Sequence, residues 1–204
     1  MSGAVVTDVG PHRVVVGDVQ LGAVLRCMDG TRADVIYSDP PWGEANLRYW
    51  RTHASDPARP RWDLFVASWT ASVAAVRAPD APVFVEMGLR WADEFAQALE
   101  RVGIVVTRRW TVQYRSGSRL LPNALLYAGA PLREGFDPSD LDAEALPRAC
   151  VAEVAVPGGV VLDPCCGKGF TARAAVAAGM RFRGVELNPA RAEVTVAWLS
   201  KNLS

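Results

Sequence analysis

A chain of 204 residues, half of them apolar and 22% charged, has the size and composition of one globular α/β domain with a sizeable core. No apolar stretch reaches the roughly 20 residues of a membrane span, and the N-terminus lacks a basic-then-apolar secretion pattern, so a cytoplasmic protein without membrane attachment is expected. Twenty-two basic side chains cancel 22 acidic ones, against a strong nonspecific nucleic-acid binder, and four cysteines without zinc-type spacing point to free thiols and no metal.

In chain order, Val14–Val16 reads as a short strand closed by Gly17-Asp18, and Gln20–Cys27 as a short helix. Asp34–Ser38 is a buried strand that Pro40 and Pro41 terminate. Residues 43–61 then read as a basic loop in which Tyr49 and Trp50 pack locally, with His12 and His53 as surface residues. Apolar residues at 62, 65, 66, 69, 73 and 76 mark a helix with Trp62 in the core; Pro79-Asp80 breaks it before the strand Pro82–Met87. Trp91, Phe95, Ala98, Leu99 and Val102 form the next helical face, closed by Gly103. Ile104–Tyr114 and Leu120–Ala128 read as an antiparallel pair around Ser116-Gly117-Ser118.

Residues 131–148 are acidic and loop-like, a linker between an acceptor half (13–130) and a cofactor half (149–204) of a single domain, 1–204. The second half reads as a short helix 149–156, the turn Pro157-Gly158-Gly159, a strand 160–163, a helix 170–178, the strand Phe182–Glu186 and a helix Pro189–Leu203. Strands alternating with helices predict a Rossmann-like, mostly parallel sheet covered on both faces, with one antiparallel strand.

Two strand ends carry the chemistry. Asp39-Pro40-Pro41-Trp42 joins an acceptor carboxylate, a backbone without donors and an aromatic plate, a set suited to a planar amine-bearing ring such as a nucleobase. An exocyclic amine is a poor nucleophile because its lone pair is delocalised into the ring. Asp39 and the Pro40 carbonyl can each accept one N–H, localising that lone pair and stabilising the charge that develops as the nitrogen gains a methyl group. Pro41 stiffens the segment. Trp42 offers stacking worth on the order of 1–3 kcal/mol, against the few kcal/mol needed to unstack a base from a duplex. The alternative is a rigid strand exit with a half-buried tryptophan.

At the other end, Asp163-Pro164-Cys165-Cys166-Gly167-Lys168-Gly169 takes a strand through a glycine turn into a helix. Gly167 and Gly169 permit close backbone approach, Asp163 can meet an ammonium group, and Glu186 closes the next strand where it can accept from two ribose hydroxyls. A dinucleotide fingerprint would want glycine at Ala172, and the spacing of a phosphate loop is absent. S-adenosyl-L-methionine fits better, having ribose and ammonium handles but no phosphate. The competing reading is a plain tight turn.

With these residues the chain resembles the permuted, β-class amino-methyltransferases of DNA, which modify adenine N6 or cytosine N4. In that family an Asp-Pro-Pro-aromatic motif precedes the cofactor motif Asp-Pro-Phe-x-Gly-Ser-Gly-Thr, here Asp39–Trp42 and then Asp163–Thr171 with Phe170 inserted. The run from Val16-Gly17-Asp18 to Ala33-Asp34-Val35-Ile36 is similar to the family's opening.

The resemblance implies S-adenosyl-L-methionine as cofactor, held by Asp18 (near its adenine), Asp163, Pro164, Cys165, Gly167, Gly169, Thr171, Glu186 and Asn188. It implies catalysis at Asp39, Pro40, Pro41 and Trp42, a flipped base in DNA as substrate, and adenine N6 as target, because aspartate leads the acceptor motif. Homodimers are common in the family, so a homodimer or a partner subunit is expected. Cys165 departs from the usual phenylalanine and Lys168 from the usual serine, and only the acidic stretch 131–150 stands where target-recognition regions usually lie. Cytosine N4, a non-duplex substrate (RNA, a free nucleotide, a protein amide) and a non-catalytic nucleic-acid-binding subunit remain the alternatives.

Overall fold

The computed structural model describes residues 4–55, 60–116 and 118–203. Its sheet has eight strands: β1 (Val5–Val9), β2 (His12–Val16), β3 (Val35–Ser38), β4 (Val83–Met87), β5 (Arg108–Ser116), β6 (Arg119–Ala128), β7 (Val160–Asp163) and β8 (Arg181–Glu186). They lie in the order β1-β2-β8-β7-β3-β4-β6-β5. The five from β2 to β4 are parallel, while β6 runs antiparallel to β4 and β5, and β1 antiparallel to β2.

The helices are α1 (Ala23–Met28), α2 (Gly43–His53), α3 (Trp62–Val76), α4 (Ala92–Arg101), α5 (Ala145–Glu153), α6 (Phe170–Ala177) and α7 (Pro189–Lys201). One core layer joins α1, α3 and α4 to the sheet through Val24, Phe65, Trp69, Val73 and Phe95. The other joins α5, α6 and α7 through Tyr37, Phe84, Tyr127, Val151, Ala175 and Phe182. Helices on both sides explain why every residue of β3, β4 and β7 is buried and why these strands read as continuous runs rather than alternations. Among the described residues no helix is long and apolar enough to cross a membrane.

Several elements differ from the expectations. β1 has no counterpart in the sequence reading: its outward Val5 and Val6 are exposed and it pairs only with β2, so it lacks the apolar signature of an inner strand. Residues 43–53 form a helix, not a loop. The buried positions of α2 are Gly43, Leu47 and Arg51, and an arginine on the inward face hides the helical period. Residues 56–59 of that expected loop, and Gly117 of the expected turn, lie outside the described residues. Helix α5 begins at Ala145, inside the expected linker, and accommodates Pro147 in its first turn.

His12 is not a surface residue. It is 7% exposed, and its Nδ1 accepts a hydrogen bond from the Phe182 N–H at 3.1 Å, tying β2 to β8. Burial, and then Arg183, push its pKa below the ordinary histidine value, so the fold holds it neutral. A depressed base stabilises the fold fully above its unfolded pKa and loses that contribution as the pH drops below it. His12→Leu strands the Phe182 N–H and is expected to cost about 1–3 kcal/mol at about pH 8. In urea unfolding, its deficit relative to wild type should shrink below about pH 6.5, where charging of His12 weakens the wild-type protein.

Candidate active site

Four adjacent parallel strands, β2, β8, β7 and β3, release their chains at the same end of the sheet. Their exits are Gly17-Asp18, Glu186-Leu187, Pro164-Cys165 and Asp39–Trp42, and all four line one cleft. Asn46, Leu47, Trp50 and Arg51 of α2 line it too, with Phe65 of α3, Tyr114 of β5 and Arg191 of α7. This is where open parallel sheets place their ligands.

At the acceptor end, Asp39 Oδ1 accepts from Trp42 Nε1 at 3.0 Å. Trp42 meets Tyr114 edge-on, with ring centroids 4.7 Å apart. Its ring fills the space beside Gly88, where an added Cβ would lie 3.2 Å from Trp42 Cε3. Gly43 has φ +79°, and a Cβ there would come within 2.4 Å of Trp91, so glycine is required where the chain turns from the motif into α2. Burial, and then the nearby Asp163 charge, push the Asp39 carboxyl up to about 7 against the Trp42 bond. Its side chain nevertheless has an exposed face toward the cleft, and water reaching it works against the shift.

At the cofactor end, Asp163 is 3% exposed and organises its own turn, accepting from Thr171 Oγ1 at 2.6 Å and the Cys165 N–H at 3.0 Å. Burial pushes it up to about 6 despite those bonds. Gly167 and Gly169 have φ of +54° and +87°. Side chains there would strike Arg191 at 2.5 Å and Thr195 at 2.8 Å, so the close approach these glycines permit is to α7.

Glu186 faces the cleft with one backbone bond on each oxygen, from the Gly167 N–H and the Asn188 N–H, both at 2.8 Å. Each oxygen keeps a further lone pair for a hydroxyl donor. Burial raises its pKa. Asn188 caps α7, accepting from the Ala190 and Arg191 N–H groups, and donates from Nδ2 to the His53 carbonyl at 3.0 Å. Asp18 accepts from the Gln20 N–H at 2.8 Å and from Arg51 Nη2 at 2.6 Å.

Of the residues singled out from the sequence, Asp18, Asp39, Pro40, Pro41, Trp42, Pro164, Cys165 and Glu186 reach the cleft wall. Asp163, Gly167, Gly169, Thr171 and Asn188 stand behind it and shape the turns. Cys165 is half-buried and Cys166 buried, and burial raises both thiols far from the thiolate form. Lys168 is exposed, outside the lining.

The sequence reading missed two arginines. Arg51, 4% exposed, fastens α2 to Asp18 and Gln20. Arg191 lies over the Trp50 ring at 4.2 Å, with Nε 3.8 Å from Glu186 Oε2. Trp50 and Arg51 lie in the segment read as loop, and nothing in the spacing Pro189-Ala190-Arg191 marks the last residue as inward. Tyr114, at an outlying stretch of β5, was likewise unmarked.

The sheet order, flanking helices and strand-end cleft define a methyltransferase-type α/β fold, and solved structures share it. The chain matches the M1.HpyAVI–SAM complex at a TM-score of 0.67 and 16% identity, over 91% of this chain and 97% of that one. It matches TTHA0409 from Thermus thermophilus, a candidate DNA modification methylase complexed with S-adenosyl-L-methionine, at 0.64 and 18%, over 93% of each chain. It matches the cytosine-N4-specific PvuII DNA methyltransferase at 0.64 and 11%, over 94% and 87%. At such identities the likeness establishes the fold. No protein-family model and no curated protein sequence matches the chain.

A carboxyl whose pKa is raised by the fold costs stability once the pH passes its unfolded value. Asp39→Asn should therefore melt above wild type at neutral and alkaline pH, and the gap should close below about pH 3, where both states of the wild type are protonated. Thermal melts across that range read this directly.

Proposed function

We propose that this protein is an S-adenosyl-L-methionine-dependent methyltransferase acting on an exocyclic nucleobase amine in DNA, with adenine N6 the preferred target. One observation carries the reading: the exits of β3 and β7 open side by side into one cleft, which Glu186 shares. The solved structures of the same fold add support, since two were determined with S-adenosyl-L-methionine and the third is a DNA methyltransferase. So does the order of the two motifs along the chain, acceptor first, which is the order of the permuted class.

The donor set fits the cofactor. Glu186 has free lone pairs for ribose hydroxyls, Asp18 and Pro164-Cys165 border the same cavity, and no basic phosphate cradle is needed. When bound there, S-adenosyl-L-methionine supplies an electrophilic methyl carbon on a sulfonium. The chain's own work lies at the acceptor. Asp39 and the Pro40 carbonyl accept the two N–H bonds of the amine, which localises its lone pair toward the methyl group. Trp42 stacks on the ring. As the nitrogen becomes tetrahedral and cationic its proton passes to the Asp39 carboxylate, and a carboxyl lifted from its usual range toward neutrality is a better acceptor for it. α2 forms one wall of the cleft, with Asn46, Leu47, Trp50 and Arg51.

A DNA substrate is further supported by the β5–β6 ribbon. β4 pairs only with residues 124–128, so the outer parts of β5 and β6 run on together beyond the sheet. They carry exposed Arg115, Arg119, Leu120 and Leu121 past Tyr114 at the cleft. A two-stranded ribbon is an element that a major groove admits.

Asp39→Ala should abolish transfer while leaving cofactor affinity within a few fold of wild type; equal turnover would refute the acceptor assignment. Expression in a methylation-deficient host followed by nucleoside mass spectrometry should yield N6-methyladenine, with N4-methylcytosine the outcome that redirects the target. A ligand at a hundred times its Kd stabilises a protein by about 2.7 kcal/mol, so S-adenosyl-L-methionine should raise the melting temperature visibly. No shift at millimolar cofactor would instead favour a non-catalytic binding subunit.

A further inference from the structure

Asn123 is fully buried in β6, and neither its amide nitrogen nor its amide oxygen has a hydrogen-bond partner among the described residues. An unpaired buried polar group costs about 1–3 kcal/mol. Native proteins carry few of them, and each calls for a physical reason.

The surroundings of Asn123 supply one. The β4–β6 register pairs Met87 with Ala124, which sets Asn123 opposite Gly88, the residue beside which the Trp42 ring packs. On its other side Asn123 pairs with Val112 of β5, and two residues on is Tyr114, edge-on to Trp42. Tyr37, Phe84, Leu125 and Val112 all belong to one core layer, so strand alternation puts Asp39, Asn123 and Tyr114 toward that same face. Asp39 leaves β3 level with Glu86 and Leu125, and Asn123 lies two strands across and two residues further along, roughly 12 Å away at the usual strand spacing and rise. That span suits a planar ring whose amine is held at one side and whose edge is read from the other.

Building on the methyl-transfer reading above, we propose that Asn123 is a specificity-determining residue that donates its amide N–H to the unprotonated ring nitrogen beside the amine of the acceptor base. Adenine N1 and cytosine N3 are both such acceptors. Guanine and thymine instead present a ring N–H beside an oxo group, the opposite pattern on both counts. Asp39 and Pro40 accepting beside one donor from Asn123 therefore select amino bases and oppose oxo bases. The entering base takes the place of the Tyr114 edge against Trp42, and the orphaned amide finds its partner only then.

Asn123→Leu keeps the branched heavy-atom skeleton, slightly enlarged, and removes both polar atoms. It should melt at or above the wild-type temperature and bind S-adenosyl-L-methionine unchanged, yet lose about 10- to 100-fold in kcat/KM, the factor that one hydrogen bond in a shaped site commands. Wild type should lose the same factor on oligonucleotides carrying 1-deazaadenine or 3-deazacytosine, which lack the ring acceptor, and the variant should lose nothing further on them. A purely structural role would lower the melting temperature and leave the deaza discrimination intact. That result, an unfolded variant, or equal rates throughout overturns the proposal. A parallel arm measures adenosine and 1-deazaadenosine binding by tryptophan fluorescence, with S-adenosylhomocysteine present. A wild type that prefers adenosine but transfers no methyl group sinks the methyl-transfer reading and leaves Asn123 standing. No preference, or no binding, sinks Asn123.

Discussion

The site exists because β3 pairs in parallel with β7. The Asp34 N–H donates to the Val160 carbonyl and the Val160 N–H to Asp34 Oδ2, two bonds that lock the start of both strands. From there the register runs Val35 to Val161 and Ile36 to Leu162. Continuing that register sets Asp163 opposite Tyr37 and Cys165 opposite Asp39, so segments far apart in the chain leave the sheet within two residues of each other. β3 and β7 have four residues each, so parallel strands that start nearly in register also end close together. Every other feature of the cleft is arranged around that pair of exits.

The same arrangement gathers carboxyl groups. Asp39, Asp163, Glu186 and the buried Glu86 of β4, to which the Tyr37 hydroxyl donates, stand near the ends of neighbouring strands, and burial raises all four. The Asp39 charge raises Glu86 further. Such crowding opposes folding at neutral pH, and the molecule tolerates it at the cleft proposed to hold an amine and a cofactor's hydroxyls. Arg191 tempers it from α7, lowering both Asp39 and Glu186. The cation is held in place by the Trp50 face, so α2 and α7 are coupled through one guanidinium.

Helix α2 is fastened to the rest of the cleft mainly by polar contacts: Arg51 on Asp18 and Gln20, Asn188 on the His53 carbonyl, and Arg191 over Trp50. Few of its residues enter the apolar core; Leu47 is the one in the buried cluster on that side. A wall attached in this way depends on polar contacts more than on packing. Asp18, proposed for cofactor adenine, is also the anchor of that wall, so ligand binding and the position of α2 share a residue.

The sequence by itself determined the alternation of strands and helices, the two strand-exit motifs and the glycine turn, since these are written in local periodicity and in residues with restricted backbones. The inner strands β3, β4 and β7 were legible as apolar runs, and Pro40, Pro41 and Pro189 marked ends and starts without tertiary help. Edge strand β1 and helix α2 were not legible, because β1 buries little and α2 turns an arginine inward; a charged residue reads as solvent-facing until a partner such as Asp18 is brought to it. His12 looked like a surface histidine for the same reason. Only the tertiary structure decided which candidates face the cleft and which stand behind it. Gly167 and Gly169 are fixed by α7, and Asn123 acquires meaning only opposite Gly88. Contacts across strands distant in sequence depend on sheet order and register, and no local pattern encodes those.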